Sequence, residues 1–198
     1  MKPDLSLRRA ACAAAVMALV AAAPTPAATA EPQRGGSLSI SIESDLPTLD
    51  PAGFASFNDR EAGVILFDSL MDLDPQGKIV PNLAKTLDSA PDATWFRVTL
   101  HDGVKFHDGT PLDANAVVAH FKRMMDPTTR CRCLSDLSTV ASVEATGPLE
   151  VTFKLKSPDV TLLAQLADRA GMIVSPKAAK ELGANFGSHP VCAGPFKF

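Results

Sequence analysis

The chain has 198 residues, of which 46% are hydrophobic and 21% charged, and its formal net charge is −3. This length suits one domain, and the apolar content is sufficient for a hydrophobic core. A mildly acidic chain without a basic cluster argues against nucleic acid as a partner.

Residues 1–30 have the three-part pattern of a secretory signal peptide. Three basic residues precede an apolar run, residues 10–23, that is too short to span a bilayer. A cleavage site of small residues ends at Ala30. We predict cleavage there and export to the periplasm. The mature chain, residues 31–198, would then lose three basic residues and one acidic residue, which changes the net charge to −5. An uncleaved anchor or an Ala-rich tail is the alternative.

The first part of the mature chain predicts a strand, a loop and a helix. Apolar residues at every second position predict a strand over 37–42. A loop rich in turn-forming residues, 45–58, follows. Asn58 is predicted to cap the next helix, and Glu61, three residues on, would complete a capping box.

The stretch from Trp95 to Met125 has the clearest pattern in the chain. Alternating apolar and polar residues predict a half-buried strand over 96–100. Two Asp-Gly pairs then mark tight turns. Asp113 is predicted to cap a helix that Pro127 ends. The predicted apolar stripe of this helix is Val117, Val118, Phe121 and Met125.

The remaining elements follow in chain order, without internal repeats. They are a loop over 128–137, strands over 140–143 and 149–155, an apolar helical stretch over 161–167, and a helix that Ser175-Pro176 opens and Gly183 closes. Proline at the first helical position and glycine just past the end are typical of helix boundaries.

Three cysteines remain in the predicted mature chain, Cys131, Cys133 and Cys192. An oxidising compartment permits one disulfide among them. Cys131 and Cys133 are so close in sequence that we do not expect them to pair with each other. We therefore predict that Cys192 pairs with one of them, and we name Cys133 as its partner.

The stretch from Trp95 to Arg123 resembles the signature of the bacterial family 5 extracellular solute-binding proteins, the receptors of ABC importers. The family pattern is an aromatic-rich strand followed by gvkFhDGtPltAeDVv and a helix. A second match is Pro190 to Phe198, where Cys192 and Ala193 replace the Gly and Thr of the family pattern PVGTGPFKF. The resemblance covers nearly all of residues 36–198.

The resemblance implies an α/β fold, a mixed twisted sheet with flanking helices, as in the first lobe of a two-lobed periplasmic binding protein of the class II or cluster C type. Family members continue well beyond the second match. We therefore expect residues 31–198 to be an incomplete N-terminal lobe, that is, a fragment.

The resemblance also implies the function. We expect the substrate-binding component of an ABC importer, which captures a small solute in the periplasm and passes it to transmembrane permease subunits. A peptide is the default cargo of the family. The expected protein is a monomer that has no cofactor and is not an enzyme.

Candidate ligand-binding residues lie in segments that border the cleft in the resembling family. Phe54 and Phe57 are apolar residues in the first loop and would form a wall for the ligand, unless both fill the core. Arg169 matches the place of a cleft arginine in similar chelate-binding members and could hold a carboxylate. Alternatively, Arg169 is a surface residue paired with Asp168 or Glu181. The loop 130–134 is a third candidate.

His101, Asp102, His107 and Asp108 suggest a different function, a secreted metal-dependent hydrolase. These residue types are metal ligands, but a metal site also needs them to converge in space. The signature explains the same residues as parts of two turns. We expect no metal to be bound, and we keep the hydrolase as the alternative function.

Overall fold

A computed structural model describes residues 35–198. The predicted signal peptide, residues 1–30, lies outside the described residues. Residues 41–198 form one compact unit, and the described residues before Ser41 belong to a separate N-terminal unit. The strand predicted over 37–42 is wrong, because these residues are not part of any strand. An alternating pattern gives a stable strand only when a neighbouring strand accepts its backbone hydrogen bonds.

Within residues 35–198, regular structure consists of short helices and strands. The helices are α1 (Phe57–Leu66), α2 (Ala114–Met125), α3 (Leu162–Gln165) and α4 (Pro176–Leu182), and the strands are β1 (Met71–Leu73), β2 (Ile79–Pro81), β3 (Ala84–Ser89), β4 (Trp95–Leu100), β5 (Val140–Gly147) and β6 (Glu150–Leu155). Single 3-10 turns lie at Pro51–Gly53, Pro127–Thr129 and Arg169–Gly171, and a longer one at Gly183–Ser188.

Four strands form the main sheet in the order β3-β4-β6-β5, and β1 pairs with β2 separately. Phe96 in the centre of the sheet pairs with Ser89 on one side and Phe153 on the other. Every strand pairing among residues 35–198 is antiparallel. The predicted combination of sheet and flanking helices is confirmed, but the sheet is antiparallel rather than mixed. Short connections join β3 to β4 and β5 to β6, and such hairpins pair strands antiparallel.

Helix α2 covers the inner face of the main sheet. Phe121 on the helix meets Phe153 on β6 edge to face, with ring centroids 5.0 Å apart. Full burial of such a ring stabilises the fold by roughly 1.5–3 kcal/mol. The predicted cap, Asp113, accepts a hydrogen bond from the Ala116 amide, and the helix ends at Met125, two residues before Pro127.

The buried stripe of α2 differs slightly from the predicted one. It consists of Ala114, Val117, His120, Phe121 and Met124. Val118 and Met125 are only half-buried. Val117, Phe121 and Met124 follow the i, i+4, i+7 spacing of a helix face, whereas Met125 falls at the edge of that face.

The start of α1 corrects the predicted cap. Ser56, not Asn58, is the N-cap, and Asp59 rather than Glu61 completes the capping box. The Asp59 carboxylate accepts hydrogen bonds of 2.8 Å from the amides of both Ala55 and Ser56. Asn58 instead donates to the Ser44 hydroxyl. The helix therefore begins earlier in the loop than the sequence pattern indicates, at Phe57.

Two further elements differ in extent from the sequence patterns. Strand β3 has no counterpart among the predicted elements, because only Ala84 of its six residues is buried and an edge strand with an exposed surface shows no regular alternation. Strand β5 continues to Gly147, four residues past the predicted end. The helix from Pro176 is confirmed, with Ser175 as N-cap and Gly183 as C-cap.

Candidate functional site

The three predicted ligand-binding segments meet at one place, which we call the junction. It consists of residues 51–54 from the predicted loop 45–58, the cysteine loop (131–136), which overlaps the predicted loop 130–134 and extends two residues beyond it, and Arg169. The Arg132 amide donates a 2.8 Å hydrogen bond to the Ala52 carbonyl, which joins the first two segments. Arg169 is the third part of the junction, and it donates hydrogen bonds to Phe54 in the first segment and to Asp136 in the second. Segments far apart in sequence therefore form one local structure.

The guanidinium of Arg169 is held by two acceptors. Its Nε and Nη2 donate to Asp136 Oδ2 at 3.2 Å and 2.8 Å, and its Nη1 donates to the Phe54 carbonyl at 2.9 Å. The side chain is only 13% exposed and that of Asp136 18%. The partner of Arg169 is therefore Asp136, not Asp168 or Glu181, and Asp168 pairs with Arg60 instead. Three of five N–H groups are used, which leaves two for another acceptor.

The cysteine loop overturns the predicted Cys133–Cys192 disulfide. Cys131 and Cys133 are bonded to each other, with Cα atoms 5.1 Å apart, and Cys192 is a free, buried thiol. That Cα separation lies within the normal range for a disulfide. A turn at Arg132 brings the two cysteines together on the buried side of the loop, and proximity in sequence alone did not predict this geometry. Arg132 itself is exposed.

The two predicted phenylalanines take opposite positions. Phe54 is 0% exposed and meets the Phe67 ring edge to face at 6.3 Å. Gly63 makes room for it, since a Cβ there would lie 2.5 Å from the Phe54 ring. A wall role for the Phe54 side chain is therefore wrong, and only its carbonyl belongs to the junction. Phe57 is 70% exposed. Its contact with a ligand stays a prediction.

His120 supports the segment that carries Arg169, and sequence patterns did not identify it. Its Nδ1 lies 3.4 Å from the Val174 amide and its Nε2 lies 3.5 Å from the Ala170 carbonyl. The amide can only donate, so Nδ1 is unprotonated and Nε2 carries the proton. Burial lowers the pKa of His120 to about 4. The imidazole is therefore neutral at physiological pH and bridges α2 to residues 170–174.

A second ion pair lies beside the junction, and the sequence patterns did not identify it either. Arg123 on α2 donates to both carboxylate oxygens of Asp50, and Asp50 accepts from the Ala52 amide at 3.1 Å. Asp50 thereby caps the Pro51–Gly53 turn. The pair lines a polar depression of about 410 Å³ together with Thr48, Thr128, Thr129 and residues of the α4 end. This ion pair therefore holds the start of the first segment, whereas Arg169 holds its last residue through the Phe54 carbonyl.

The four residues of the alternative metal site do not converge. His101 and Asp102 are exposed in the first turn. His107 Nε2 lies 2.9 Å from the Gly194 carbonyl, and Asp108 accepts a 2.6 Å hydrogen bond from the Ser175 hydroxyl. No group of three metal-ligating side chains occurs among residues 35–198. The two turns therefore hold neighbouring loops in place, and the hydrolase alternative has no support.

Three relatives show what the chain is similar to. It is 32% identical over 181 residues to the glutathione-binding protein GsiB of Pectobacterium atrosepticum, which covers 91% of this chain and 35% of that protein. The structure of the PBP AgaA of A. tumefaciens R10 in complex with agropinic acid matches with TM-score 0.73 and 30% identity, covering 78% of this chain and 31% of AgaA. That of the ABC transporter-associated periplasmic binding protein DppA of Helicobacter pylori, in complex with the peptide STSA, matches with TM-score 0.67 and 26% identity, covering 76% and 34%.

The chain thus spans about a third of the length of these relatives. They are solute-binding proteins rather than enzymes. In the part of the chain that the structure describes, no helix is long and apolar enough to cross a membrane. Residues 78–198 match the family model of the bacterial extracellular solute-binding proteins, family 5. The chain belongs to the bacterial extracellular solute-binding proteins of family 5.

Proposed function

We propose that this chain belongs to the substrate-binding component of an ABC importer and captures a small acidic solute in the periplasm, with a peptide as the favoured cargo class. The component delivers its ligand to the transmembrane permease subunits and carries out no covalent chemistry. Binding proteins of this kind enclose the ligand between two lobes and exclude water from a few polar contacts.

The observation that carries this proposal is the state of Arg169. Its guanidinium is largely buried and fixed by Asp136 and the Phe54 carbonyl, so little side-chain entropy is left to lose when a ligand binds. Two of its N–H groups remain for a ligand oxygen. A planar, preoriented guanidinium suits a carboxylate, which can accept two parallel hydrogen bonds.

The names of the relatives agree with this chemistry. Glutathione, agropinic acid and a peptide are the ligands named for the three proteins described above. Each of these ligands is an acid or has a carboxylate at one end. Phe57, exposed three residues after Phe54, would supply the apolar surface beside the carboxylate anchor.

Calorimetry of the full-length binding protein, with both lobes present and with reduced glutathione as the probe, tests the proposal. Arg169→Ala should weaken binding by about 1.5–3 kcal/mol, the usual contribution of a hydrogen bond to a charged group. A glutathione derivative with both carboxylates amidated should bind weakly to the native protein and lose nothing further in the variant. This comparison separates loss of a carboxylate contact from general damage to the site.

Arg60→Ala is the matched control. It removes the same charge close to the junction, but Arg60 pairs with Asp168 and is more than a third exposed. Glutathione affinity should therefore be unchanged in this variant. Equal affinities of the native protein and Arg169→Ala would contradict the anchor role, and no binding of glutathione or of short peptides to the native protein would contradict the cargo class.

A further inference from the structure

The Cys131–Cys133 disulfide lies in the same loop as Asp136, which holds Arg169. Cys131 is 7% exposed and Cys133 is 0% exposed, and both belong to the main hydrophobic core. Arg132, between them, is exposed. The disulfide therefore anchors the base of the loop in the core while the loop backbone remains at the junction.

Backbone hydrogen bonds connect the two cysteines to Asp136, so the position of the cysteines determines where Asp136 lies. The Leu134 amide donates to the Cys131 carbonyl at 3.2 Å, and the Asp136 amide donates to the Cys133 carbonyl at 3.0 Å. The Cys133 amide also lies 3.1 Å from Cys131 Sγ. Three successive contacts thus set the backbone from the disulfide to Asp136, and with it the direction of the carboxylate.

The second acceptor of Arg169 depends on the same loop. Arg132, enclosed between the two cysteines, donates its amide to the Ala52 carbonyl at 2.8 Å. Two residues later, the Phe54 carbonyl accepts from Arg169 Nη1. The loop therefore contributes one acceptor of the guanidinium directly, through Asp136, and supports the other through Ala52.

We propose that the Cys131–Cys133 disulfide is the positioning element for Arg169: it holds the Asp136 carboxylate and the Phe54 carbonyl in the places that fix the guanidinium toward an acidic ligand. The role of Arg169 toward ligand rests on the proposed function. The role of the disulfide in fixing Arg169 does not, because it concerns the geometry of the free protein.

The effect of this disulfide is local. It closes a ring of only three residues, and the loop-closure entropy that a disulfide removes from the unfolded chain is smallest for such short loops. Its contribution to global stability is therefore small. Opening it frees residues 131–136 to move, and the first consequence is loss of the two hydrogen bonds between Asp136 and Arg169.

Nuclear magnetic resonance of the 15N-labelled protein tests the proposal without any ligand. The readout is the Arg169 Nε–H signal and its exchange with solvent, since this group donates to Asp136. In the oxidised protein the signal should be protected. In the double variant Cys131→Ala/Cys133→Ala, and after complete reduction of the native protein, exchange should accelerate at least tenfold. The amide signals of β4 should remain in place.

Two carboxylate variants make the test specific. Asp136→Asn should accelerate Arg169 Nε–H exchange in the oxidised protein, and removal of the disulfide in that background should add little, because both changes act on the same contact. Asp168→Asn is the matched control. It neutralises the neighbour of Arg169 in sequence, which pairs with Arg60, and should leave the signal protected.

Each outcome of these measurements decides the question. An unchanged Arg169 signal in the protein without the disulfide would overturn the proposal. Collapse of the β4 amide signals would also overturn it, since the disulfide would then support the whole fold rather than position one side chain. If the signal changes as expected but Arg169→Ala binds glutathione normally, the positioning role stands and the proposed function fails.

Discussion

Arg169 Nη1 donates a 2.9 Å hydrogen bond to the carbonyl oxygen of Phe54, across 115 positions of the chain. This contact joins the first loop of the described unit to a turn near its end. The Phe54 side chain is buried in the core. The ring of this residue therefore packs in the core, while its carbonyl belongs to the junction. Displacement of either segment would therefore break this hydrogen bond or move the other segment with it.

The buried His120 should make stability depend on pH. Its folded pKa is about 4, against 6.5 for an ordinary histidine, so between these values the unfolded chain binds the extra proton. Stability should therefore rise with pH through this window, and it should be lower by about 3 kcal/mol at pH 4 than at pH 7.5. Urea unfolding followed by circular dichroism at a series of pH values measures this dependence.

His120→Gln should flatten the profile between pH 4 and 6.5, even if the variant is less stable at every pH. His101→Gln is the control, because His101 is exposed in a turn and its replacement should leave the slope unchanged. Arg123 and Asp50 are the charged groups that act on His120, with opposite effects on its pKa. An equally steep profile in His120→Gln would assign the pH dependence to carboxylates instead.

Asp59 should be the residue that stabilises the start of α1. Asp59→Ala removes the acceptor of two backbone amides, those of Ala55 and Ser56, and should lower the free energy of unfolding by about 1–3 kcal/mol. Glu61→Ala, an exposed change in the same turn, should alter it by less than about 0.5 kcal/mol. Denaturant titration compares the two. Equal losses would restore Glu61 to the capping role that the sequence pattern suggested.

Cys192 should be nearly inert in the folded protein. Burial raises the pKa of its thiol to about 11, and the thiolate is the reactive form. At pH 8, its thiolate fraction should be about 100-fold lower than that of a thiol with the ordinary pKa of 9.0, because this fraction falls about tenfold for each unit by which the pKa rises. Alkylation of the folded protein should therefore be much slower than alkylation of the unfolded chain. Peptide-resolved mass spectrometry after timed exposure to iodoacetamide measures the rate.

The same experiment in urea without reductant provides the control. Unfolding should expose Cys192 to rapid alkylation, whereas the peptide with Cys131 and Cys133 should stay unmodified until a reductant is added. Alkylated Cys131 or Cys133 in the unreduced, unfolded protein would contradict the disulfide between them.

Export should remove residues 1–30. The mature protein is expected to begin at Glu31, because the charged start, the apolar run and the small residues before the cleavage site match a secretory signal. Intact-mass measurement of periplasmic protein checks the new N-terminus. Ala30→Leu, which places a large residue at the cleavage site, should block processing, whereas Ala27→Leu should not. A native protein that still begins with Met1 would refute the prediction.

The family and most of the local structure could be predicted from the sequence. Strand β4, the Asp113 cap of α2 and the helix after Ser175 each depend on neighbouring residues, through alternation, capping and proline geometry. Each of these signals is contained in a few consecutive residues of the chain. The same is true of the motif from Trp95 to Arg123, because the order and spacing of its residues are enough to indicate the family.

Only the tertiary structure decided which residues act together. Asp136 and Arg169 show no pattern that links them, and neither do Arg123 and Asp50, because their contacts depend on how distant segments pack. The disulfide between Cys131 and Cys133 depends on a turn that places two neighbouring side chains on one side of a loop. Local sequence patterns specify helices and strands, whereas contacts between residues far apart in sequence depend on how those helices and strands pack against one another.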